Sequence, residues 1–340
     1  MVAIDGSKSK AVNNRDKNFT AAKMQRRLEQ IDASIQRYLA QLDTADRQEP
    51  AVPETKCSRL QDKIARLKQE MERLQGLEGQ RQQAPDQLPL TDPDGRSMAT
   101  SGRGTGMVGY NVQTAVDAKH HLIVAHEVTN VGHDRGQLTN MAQQARAAMA
   151  TTDLTVVADR GYFDGEQIRA CDQMGIITFL PKPLHSTSKA DGRFGKPDFI
   201  YDAGDDTYRC PAGERLIRRF TTVEAGMTLQ VYWASTCPAC AIRAQCTTSK
   251  QPRRIRRWEH EAVIDALQQR LDREPEKMRV RRQTAEHPFG TLKAWMGHTH
   301  FLTKTLPRVS TEMSLHVLAY NLKRVLNLLG ARPLLAALAG

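Results

Sequence analysis

The segment from Leu154 to Glu166 most constrains how this chain can fold. It opens with the apolar, β-branched run Leu-Thr-Val-Val-Ala, stops at Asp159 and Gly161, and continues as a helix-like segment. This order is typical of a buried parallel strand, and open α/β sheets place functional side chains at the carboxyl ends of such strands. Asp159 taken alone would more often be a cap of the helix that follows, because Asp is favoured at caps and turns.

The neighbouring segments place this strand in a mixed sheet with helices on its faces. A small apolar strand closed by Asp5-Gly6 begins the chain, and in isolation Asp5 is more often an ordinary Asp-Gly turn residue. The other predicted elements are a β-hairpin over residues 107–117 and 121–129, helices over 134–149 and 164–174, and a strand over 176–180. The predicted fold class is therefore α/β.

Two segments after the first strand predict an antiparallel helical hairpin. Apolar residues recur in steps of three and four along residues 20–43 and again along 55–77, and Glu49-Pro-Ala-Val-Pro53 separates the two segments. The two apolar stripes would form a coiled-coil-like seam that includes Cys57. Such an arm could pack within the chain or between two protomers, and we expect a homodimer.

Composition predicts a loop over residues 78–106 and a buried helix near the C-terminus. The loop is rich in Gln, Gly, Pro, Asp and Ser, and we expect its Asp92 and Asp94 to be turn residues and not ligands. Residues 312–329 are apolar on most sides and end at Gly330, which predicts a helix in the core.

The charge of the chain points to a polyanionic partner. There are 49 Lys and Arg residues against 38 Asp and Glu residues, which gives a net charge of +11. No apolar run approaches the ~18 residues of a membrane-spanning helix, so nucleic acid is a better partner than a membrane. Four guanidinium groups beside Trp258 could grip phosphates, with Trp258 stacking on a base, although a charge run is more often a solvated face. The four are Arg253, Arg254, Arg256 and Arg257.

Four of the six cysteines lie close together in the sequence. They are Cys210, Cys237, Cys240 and Cys246. One Cys-x-x-Cys pair with two further thiols is enough for a tetrahedral zinc site in a small inserted module, and reduced, partly buried thiols are the alternative. Both interpretations favour a reducing, cytoplasmic setting over a secreted disulfide framework.

A helix predicted over residues 259–296 carries a further acidic candidate. Arg282 and Glu286 are four residues apart and therefore share one helix face, with Lys293 two turns further along. A surface salt-bridge ladder would give the same pattern, although Pro288 is unusual inside a plain surface helix.

Three acidic residues would suit a site for two magnesium ions. Mg²⁺ prefers carboxylate oxygens, and phosphoryl transfer uses two ions ~3.5–4 Å apart to activate the attacking oxygen and stabilise the leaving oxygen. The three candidates are Asp5, Asp159 and Glu286. A catalytic interpretation requires that they converge in the folded chain.

At these residues the chain resembles the DDE transposases of bacterial insertion sequences, which share a ribonuclease-H-like fold. Asp5 in Ile-Asp-Gly-Ser-Lys looks like the family's first acid, and Asp159 in Val-Ala-Asp-Arg-Gly-Tyr looks like the second. Glu286 looks like the third, with Arg282 and Lys293 at the supporting basic positions. The helical arm and the cysteine module are similar to those of one branch of the family.

The resemblance implies a mixed ribonuclease-H-like sheet interrupted by the helical hairpin and by a small β module. It also implies that the three acids hold two Mg²⁺ ions, that water cleaves a DNA strand to free a 3′-hydroxyl, and that this hydroxyl attacks target DNA. The partner would be double-stranded DNA, comprising the element ends and the target. Two departures are Arg279 in place of a usual Tyr and the expected lack of a DNA-binding domain ahead of the first acid.

The predicted organisation has five parts. Residues 1–10 form the first strand of the catalytic core, 18–80 the helical hairpin, 81–182 the rest of the sheet, 183–257 the cysteine module, and 258–340 the C-terminal helical part. Two other functions fit the same residues. One is a catalytically inactive, truncated DNA-binding remnant, which would show no Mg²⁺-dependent nicking of DNA. The other is a scaffold organised by zinc, which would fold only with zinc and bind DNA weakly.

Overall fold

A computed structural model of the chain describes residues 1–12, 18–46, 54–81, 87–89, 91–99, 106–183 and 191–339. The strands are β1 (Val2–Lys10), β2 (Asn18–Thr20), β3 (Gln87–Pro89), β4 (Arg96–Met98), β5 (Met107–Asp117), β6 (Ile123–Thr129), β7 (Thr155–Val157), β8 (Ile177–Phe179), β9 (Ile200–Asp202), β10 (Thr207–Arg209), β11 (Arg215–Glu224), β12 (Met227–Trp233) and β13 (Ile255–Trp258). The α-helices are α1 (Ala21–Asp46), α2 (Glu54–Arg81), α3 (Leu138–Ala148), α4 (Gly165–Gln173), α5 (Glu261–Arg273), α6 (Lys277–Gly290), α7 (Leu306–Leu329) and α8 (Ala331–Ala339).

The main sheet is mixed. Its strand order is β4-β5-β1-β7-β8, and β6 pairs with β5. Strands β1, β7 and β8 run parallel, whereas β4 and β5 are antiparallel. The predicted fold class, α/β with a mixed ribonuclease-H-like sheet, is confirmed.

The chain divides into two compact units. The first consists of Met1–Asp5, Ala115–Ala125 and Asp134–Glu286, and the second of Gly6–Thr114, His126–His133 and His287–Gly340. Strands β1 and β5 each contribute residues to both units.

Apolar side chains from β1, β7 and three helices form the core of the first unit. Ile4 and Val156 are completely buried, as are Ile168 of α4 and Leu267 of α5. Each such side chain contributes ~1.5–3 kcal/mol when it leaves water. The core therefore fixes Asp5, which lies inside β1, and the end of β7, after which Asp159 follows. The predicted end of the first strand at Asp5-Gly6 is wrong, because β1 continues to Lys10.

The cysteine-bearing segment forms a separate antiparallel sheet within the first unit. Its strand order is β13-β12-β11-β10-β9. Tyr201, Tyr208 and Tyr232 pack against one another with ring centroids 4.9–6.4 Å apart. A β-rich module is thus present where one was predicted, while its exact boundaries at 183 and 257 stay predictions.

The predicted helical hairpin is confirmed in the second unit. Ile31 and Ile35 of α1 are buried against Ile64 and Leu74 of α2. Arg27, near the start of α1, forms an ion pair at 2.8 Å with Glu70, near the end of α2, so the helices are antiparallel. The proline-containing connection between them lies outside the described residues.

The single helix predicted over residues 259–296 is wrong. Helix α5 ends at Arg273 and α6 begins at Lys277, because Pro275 lacks an N–H group and disfavours helical geometry at Glu274. Pro288, by contrast, lies inside α6, which continues to Gly290 and is followed by a π-helical segment, Thr291–Trp295.

The C-terminal helix is only partly in the core, which corrects the prediction. One face of α7 is buried through Val309, Met313, Val317 and Tyr320. The opposite face exposes a stripe of leucines in steps of three and four, made of Leu315, Leu318, Leu322, Leu326 and Leu329. Within the described part of the chain, no helix is long and apolar enough to cross a membrane.

The predicted loop over residues 78–106 contains the short strands β3 and β4 where it is described. Its two carboxylates have the structural role expected of them. Asp92 is fully buried and accepts hydrogen bonds from the Tyr110 hydroxyl and from the N–H of Thr305. Asp94 accepts from the N–H of Leu306. Both carboxylates therefore cap the amino end of α7, where backbone N–H groups lack helical partners.

Candidate active site

The register of two parallel strands brings Asp5 and Asp159 to the same edge of the sheet. Ala3 of β1 is paired with Val157 of β7, and each acid follows its paired residue by two positions. Neighbouring parallel strands put equivalent positions side by side, so the two carboxylates become neighbours although 153 residues of sequence separate them.

A single guanidinium group links the two carboxylates. Nη2 of Arg281, on α6, lies 2.7 Å from Oδ1 of Asp5 and 3.8 Å from Oδ2 of Asp159. The side chains of Arg281 and Asp5 are 13% and 16% exposed, whereas that of Asp159 is 43% exposed. The pair with Asp5 is therefore a sheltered, charge-assisted hydrogen bond, and the contact with Asp159 is longer and open to water.

Local backbone geometry fixes the orientation of Asp159. Its Oδ1 accepts a hydrogen bond of 2.7 Å from the N–H of Gly161 and caps a short 3-10 helix, Arg160–Tyr162. This bond uses one oxygen and leaves Oδ2 turned toward Arg281. Asp159 therefore has both predicted roles. Its Oδ1 is the cap, and its Oδ2 faces the site.

Gly161 allows two acidic side chains to approach the same point. A Cβ atom at this position would lie 2.9 Å from Oδ1 of Asp159 and 3.6 Å from Oδ2 of Asp134. At the first distance the Asp159 carboxylate would have to shift, so glycine at this position leaves the carboxylate where it is. Asp134, in the loop before α3, is therefore a further carboxylate at the site.

Tyr162 lies beneath these acids and is completely buried. Burial, followed by the negative charges of Asp134, Asp5 and Asp159, raises the pKa of Tyr162 well above its ordinary value. The phenol therefore stays protonated at neutral pH, and it adds no negative charge to a site that already holds three carboxylates.

Glu286 and Arg282 are both exposed on α6. Glu286 follows Arg281 by five residues, which corresponds to about one and a half helical turns. The helix that brings Arg281 to the two carboxylates thus also carries the predicted third acid. Its role as a metal ligand stays a prediction, as does the phosphate-binding role of Arg282.

Lys293 contacts the second half of β1. Its Nζ donates a hydrogen bond of 2.6 Å to Oγ of Ser7 and lies 3.4 Å from the carbonyl oxygen of Lys8. Both partners belong to the same unit as Lys293. The lysine is therefore hydrogen-bonded to the second half of β1.

The arginine cluster predicted to bind nucleic acid separates into structural and exposed members. Arg257 is 8% exposed, pairs with Asp265 at 2.8 Å and lies over the ring of Tyr201. Arg253 lines the cavity of the cysteine module, and its Nε is buried without a hydrogen-bond partner in the part of the chain that the structure describes. Trp258 is buried in the core, where it cannot stack on a base.

Two arginines of the cluster remain open to a ligand. Arg254 is exposed and lies over the ring of Trp233 at 5.3 Å. Arg256 is also exposed and pairs with Glu224 at 2.9 Å. The alternation follows from β13, since neighbouring residues of a strand point to opposite faces of its sheet.

The four clustered cysteines line one cavity of about 30 Å³ in the β module. All are free thiols. Burial raises the pKa of Cys246, the nearby Arg253 lowers it, and the other three cysteines raise it. No three of these sulfurs, all of which the structure describes, lie within 4.8 Å of one another. Their chemistry fits a soft metal such as zinc.

Sequence reasoning missed Arg281 and Asp134. Arg281 could have been found from the small or apolar residues Thr284, Ala285 and Pro288, which follow it at helical spacing and mark the buried face of α6. Asp134 lies between Gly132 and Gly136 in a polar loop, and such loops carry a weak signal because their positions are set by tertiary structure.

Two carboxylates brought side by side by adjacent parallel strands, with a helix that carries an arginine and a further acid, are the arrangement expected of DDE enzymes. A scan against family models matches residues 77–322 to the Transposase DDE domain. The chain belongs to this family, whose members are transposases and act on DNA. The matched residues include Asp159, Arg281 and Glu286, whereas Asp5 precedes them. Neither a search of curated proteins nor a search of solved structures returned a match.

Proposed function

We propose that this protein catalyses metal-dependent cleavage and strand transfer of double-stranded DNA as the transposase of an insertion sequence. The observation that carries the proposal is the convergence of Asp5 and Asp159 on one guanidinium group of Arg281. Asp5 and Asp159 are distant in sequence but close in space, so they concentrate negative charge where a cation can neutralise it. The substrates would be the two ends of the element and a target site.

The residues at this site fit hard divalent cations. Asp5 and Asp159 supply carboxylate oxygens, the preferred ligands of Mg²⁺, and we propose Glu286 as the third ligand. In this structure the Arg281 guanidinium is the cation that lies against the first two. Two bound Mg²⁺ ions would supply activation of the attacking oxygen and stabilisation of the leaving oxygen.

The basic residues around the acids would bind and orient the DNA. If Asp5 and Asp159 held a metal ion, the positive charge of Arg281 would be available to a phosphate oxygen. Arg282 on α6 and Lys293 beside β1 would neutralise backbone phosphates. On the β module, Arg254 and Arg256 are exposed and would extend the DNA contact, while Arg253 and the buried Arg257 would support the module itself.

The test is the loss of one carboxylate charge without a change of shape. Asp159→Asn should abolish Mg²⁺-dependent nicking of supercoiled plasmid and leave duplex binding, measured by fluorescence anisotropy, within about twofold of the unchanged protein. Asp153→Asn is the matched control, because Asp153 is exposed just before β7 and the substitution removes the same charge. Nicking that survives in the Asp159 variant would overturn the proposed role.

The same assay separates the enzyme from a catalytically inactive DNA-binding remnant. A remnant would bind duplex DNA through its net charge of +11 and would show no nicking in the unchanged protein at any Mg²⁺ concentration. Salt dependence of binding then reports how many phosphates the basic residues neutralise in either case.

We further propose that the protein acts as a homodimer. The apolar seam of the α1–α2 hairpin is filled within one chain, whereas the leucine stripe of α7 is exposed and matches the spacing of a helix-pairing surface. Light scattering should show a dimer that Leu318→Glu with Leu322→Glu converts to a monomer. Arg308→Glu, on the exposed first turn of α7, should leave the mass unchanged.

The four cysteines are proposed as a structural zinc site in the β module. Support comes from their common cavity and from free thiols, which also suit a reducing, cytoplasmic setting. Replacing Cys237 and Cys240 with serine should remove one equivalent of bound zinc and lower the midpoint of thermal unfolding. A zinc content equal to that of the unchanged protein would contradict this site.

A further inference from the structure

A second group of potential metal ligands lies in the other unit of the chain. His298 follows the π-helical segment, and Glu312 and His316 lie on α7. One ligand atom from each residue lies within 4.8 Å of the others, and the described residues contain this one group of three such donors. Glu312 and His316 are four residues apart, so helical geometry places both side chains on the same face of α7.

His298 is held as a metal-binding histidine needs to be held. The residue is 3% exposed, its Nε2 lies 3.2 Å from Oγ of Ser9, and its ring packs on Phe301 with centroids 4.9 Å apart. Its Nδ1 is buried and has no hydrogen-bond partner in the part of the chain that the structure describes. A fixed imidazole with one bonded and one vacant nitrogen resembles a ligand oriented by an outer partner, here Ser9.

Glu312 is oriented by the backbone of the segment that follows His298. Its Oε2 accepts hydrogen bonds from the N–H and Oγ1 of Thr303 and from the N–H of Leu302, and its Oε1 accepts from the N–H of Leu302 alone. A carboxylate has about four acceptor positions, so Oε1 keeps capacity for a metal. These bonds fix the carboxylate before any ligand arrives.

His316 completes the group beside His298. The two imidazole rings are tilted by 58° with centroids 4.5 Å apart. One nitrogen of each ring lies within 4.8 Å of the other and of a Glu312 oxygen, so the two imidazoles can share one metal ion.

We propose that His298, Glu312 and His316 bind one zinc ion that fastens the 297–303 segment to α7. Two imidazoles and one carboxylate are a ligand set for zinc and a poor one for Mg²⁺, which favours oxygen ligands throughout. The site is independent of the carboxylates near Arg281 and of the cysteine module, since none of its residues belongs to either. None of its ligands belongs to the proposed active site, and with three protein ligands the fourth coordination position would be filled by water.

The experiment measures zinc in the full-length protein after incubation with Zn²⁺ alone and dialysis. His316→Gln should lower the zinc content by one equivalent. The same loss is expected when the substitution is made in a protein whose Cys237 and Cys240 are replaced by serine. His300→Gln is the matched control, since His300 is exposed two residues after His298 and should retain all the zinc. Equal zinc contents in the two histidine variants would overturn the proposal.

A second measurement, X-ray absorption, uses no histidine variant, so the result does not depend on whether such a variant folds. X-ray absorption at the zinc edge of the protein carrying both serines should show nitrogen and oxygen neighbours at ~2.0–2.1 Å. A zinc-free protein, or a shell made of sulfur, would refute the site. Mg²⁺-dependent nicking is assayed separately from zinc content. Absence of zinc would therefore refute this site without testing the proposed transposase activity, and absence of nicking would not bear on the zinc site.

Discussion

Replacing Arg281 with glutamine should destabilise the metal-free protein by about 3 kcal/mol. Removing one partner of a buried ion pair costs ~3–5 kcal/mol, because the other charge is left without compensation. Asp5 is 16% exposed and bears most of this cost, whereas Asp159 is 43% exposed and is largely screened by water. The lower end of the range therefore applies.

Two further measurements tie the loss to the acidic pair. The same substitution in an Asp5→Asn background should cost less, with a coupling energy of ~1–3 kcal/mol, because the residues are in direct contact. Mg²⁺ should narrow the gap between the unchanged protein and the Arg281 variant, since a bound cation replaces the missing charge. At a concentration 100 times its Kd, a ligand adds ~2.7 kcal/mol of stability.

Urea unfolding followed by circular dichroism, first with EDTA and then with Mg²⁺, gives these values. Arg282→Gln is the matched control, because Arg282 is exposed on the same helix and should change stability by less than ~0.5 kcal/mol. Equal losses of stability in the two arginine variants, or a difference that Mg²⁺ leaves unchanged, would show that Arg281 does not neutralise the carboxylates.

Three other substitutions test the surroundings of the site and of α7. Gly161→Ala should abolish nicking, because the new Cβ would lie 2.9 Å from Oδ1 of Asp159 and displace that carboxylate. Circular dichroism should show a retained fold, and full nicking activity would contradict the displacement. Asp134→Asn should raise the Mg²⁺ concentration needed for half-maximal nicking by roughly tenfold, equivalent to about 1.4 kcal/mol for one charge, and an unchanged titration would place Asp134 outside the metal's influence. Tyr110→Phe leaves the buried Asp92 short of one donor and should cost ~1–3 kcal/mol in urea unfolding, unless water replaces the hydroxyl and the loss is nil.

Much of the fold could be predicted because it depends on local patterns. The spacing of apolar residues in α1 and α2, and the apolar run that ends at Asp159, follow directly from the periods of helices and strands. Pro275 could have been used in the same way to divide the long helix, since its ring and missing N–H act locally. The exposure of the leucine face of α7 could not be predicted. Apolar periodicity shows which residues share a helix face, but not which of two apolar faces is buried.

The acidic site could be predicted in part for the same reason. Asp5 and Asp159 each come directly after a short apolar run, so they converge once the two runs pair as parallel strands. Arg281 and Asp134 reach the site through packing between elements distant in sequence, which no local pattern encodes. The choice between Arg281 and Arg282 depends on which face of α6 is buried, and the two differ by only 100° on the helix.

The pairing of Asp5 with Arg281 joins residues 276 positions apart. A ribosome adds about 5–20 residues per second, so the carboxylate near the amino end waits roughly ten seconds to a minute for its counter-charge. Contacts of such long range are also slow to close after synthesis. An interrupted translation product that stops short of α6 would therefore carry the first acid with no means of completing the site.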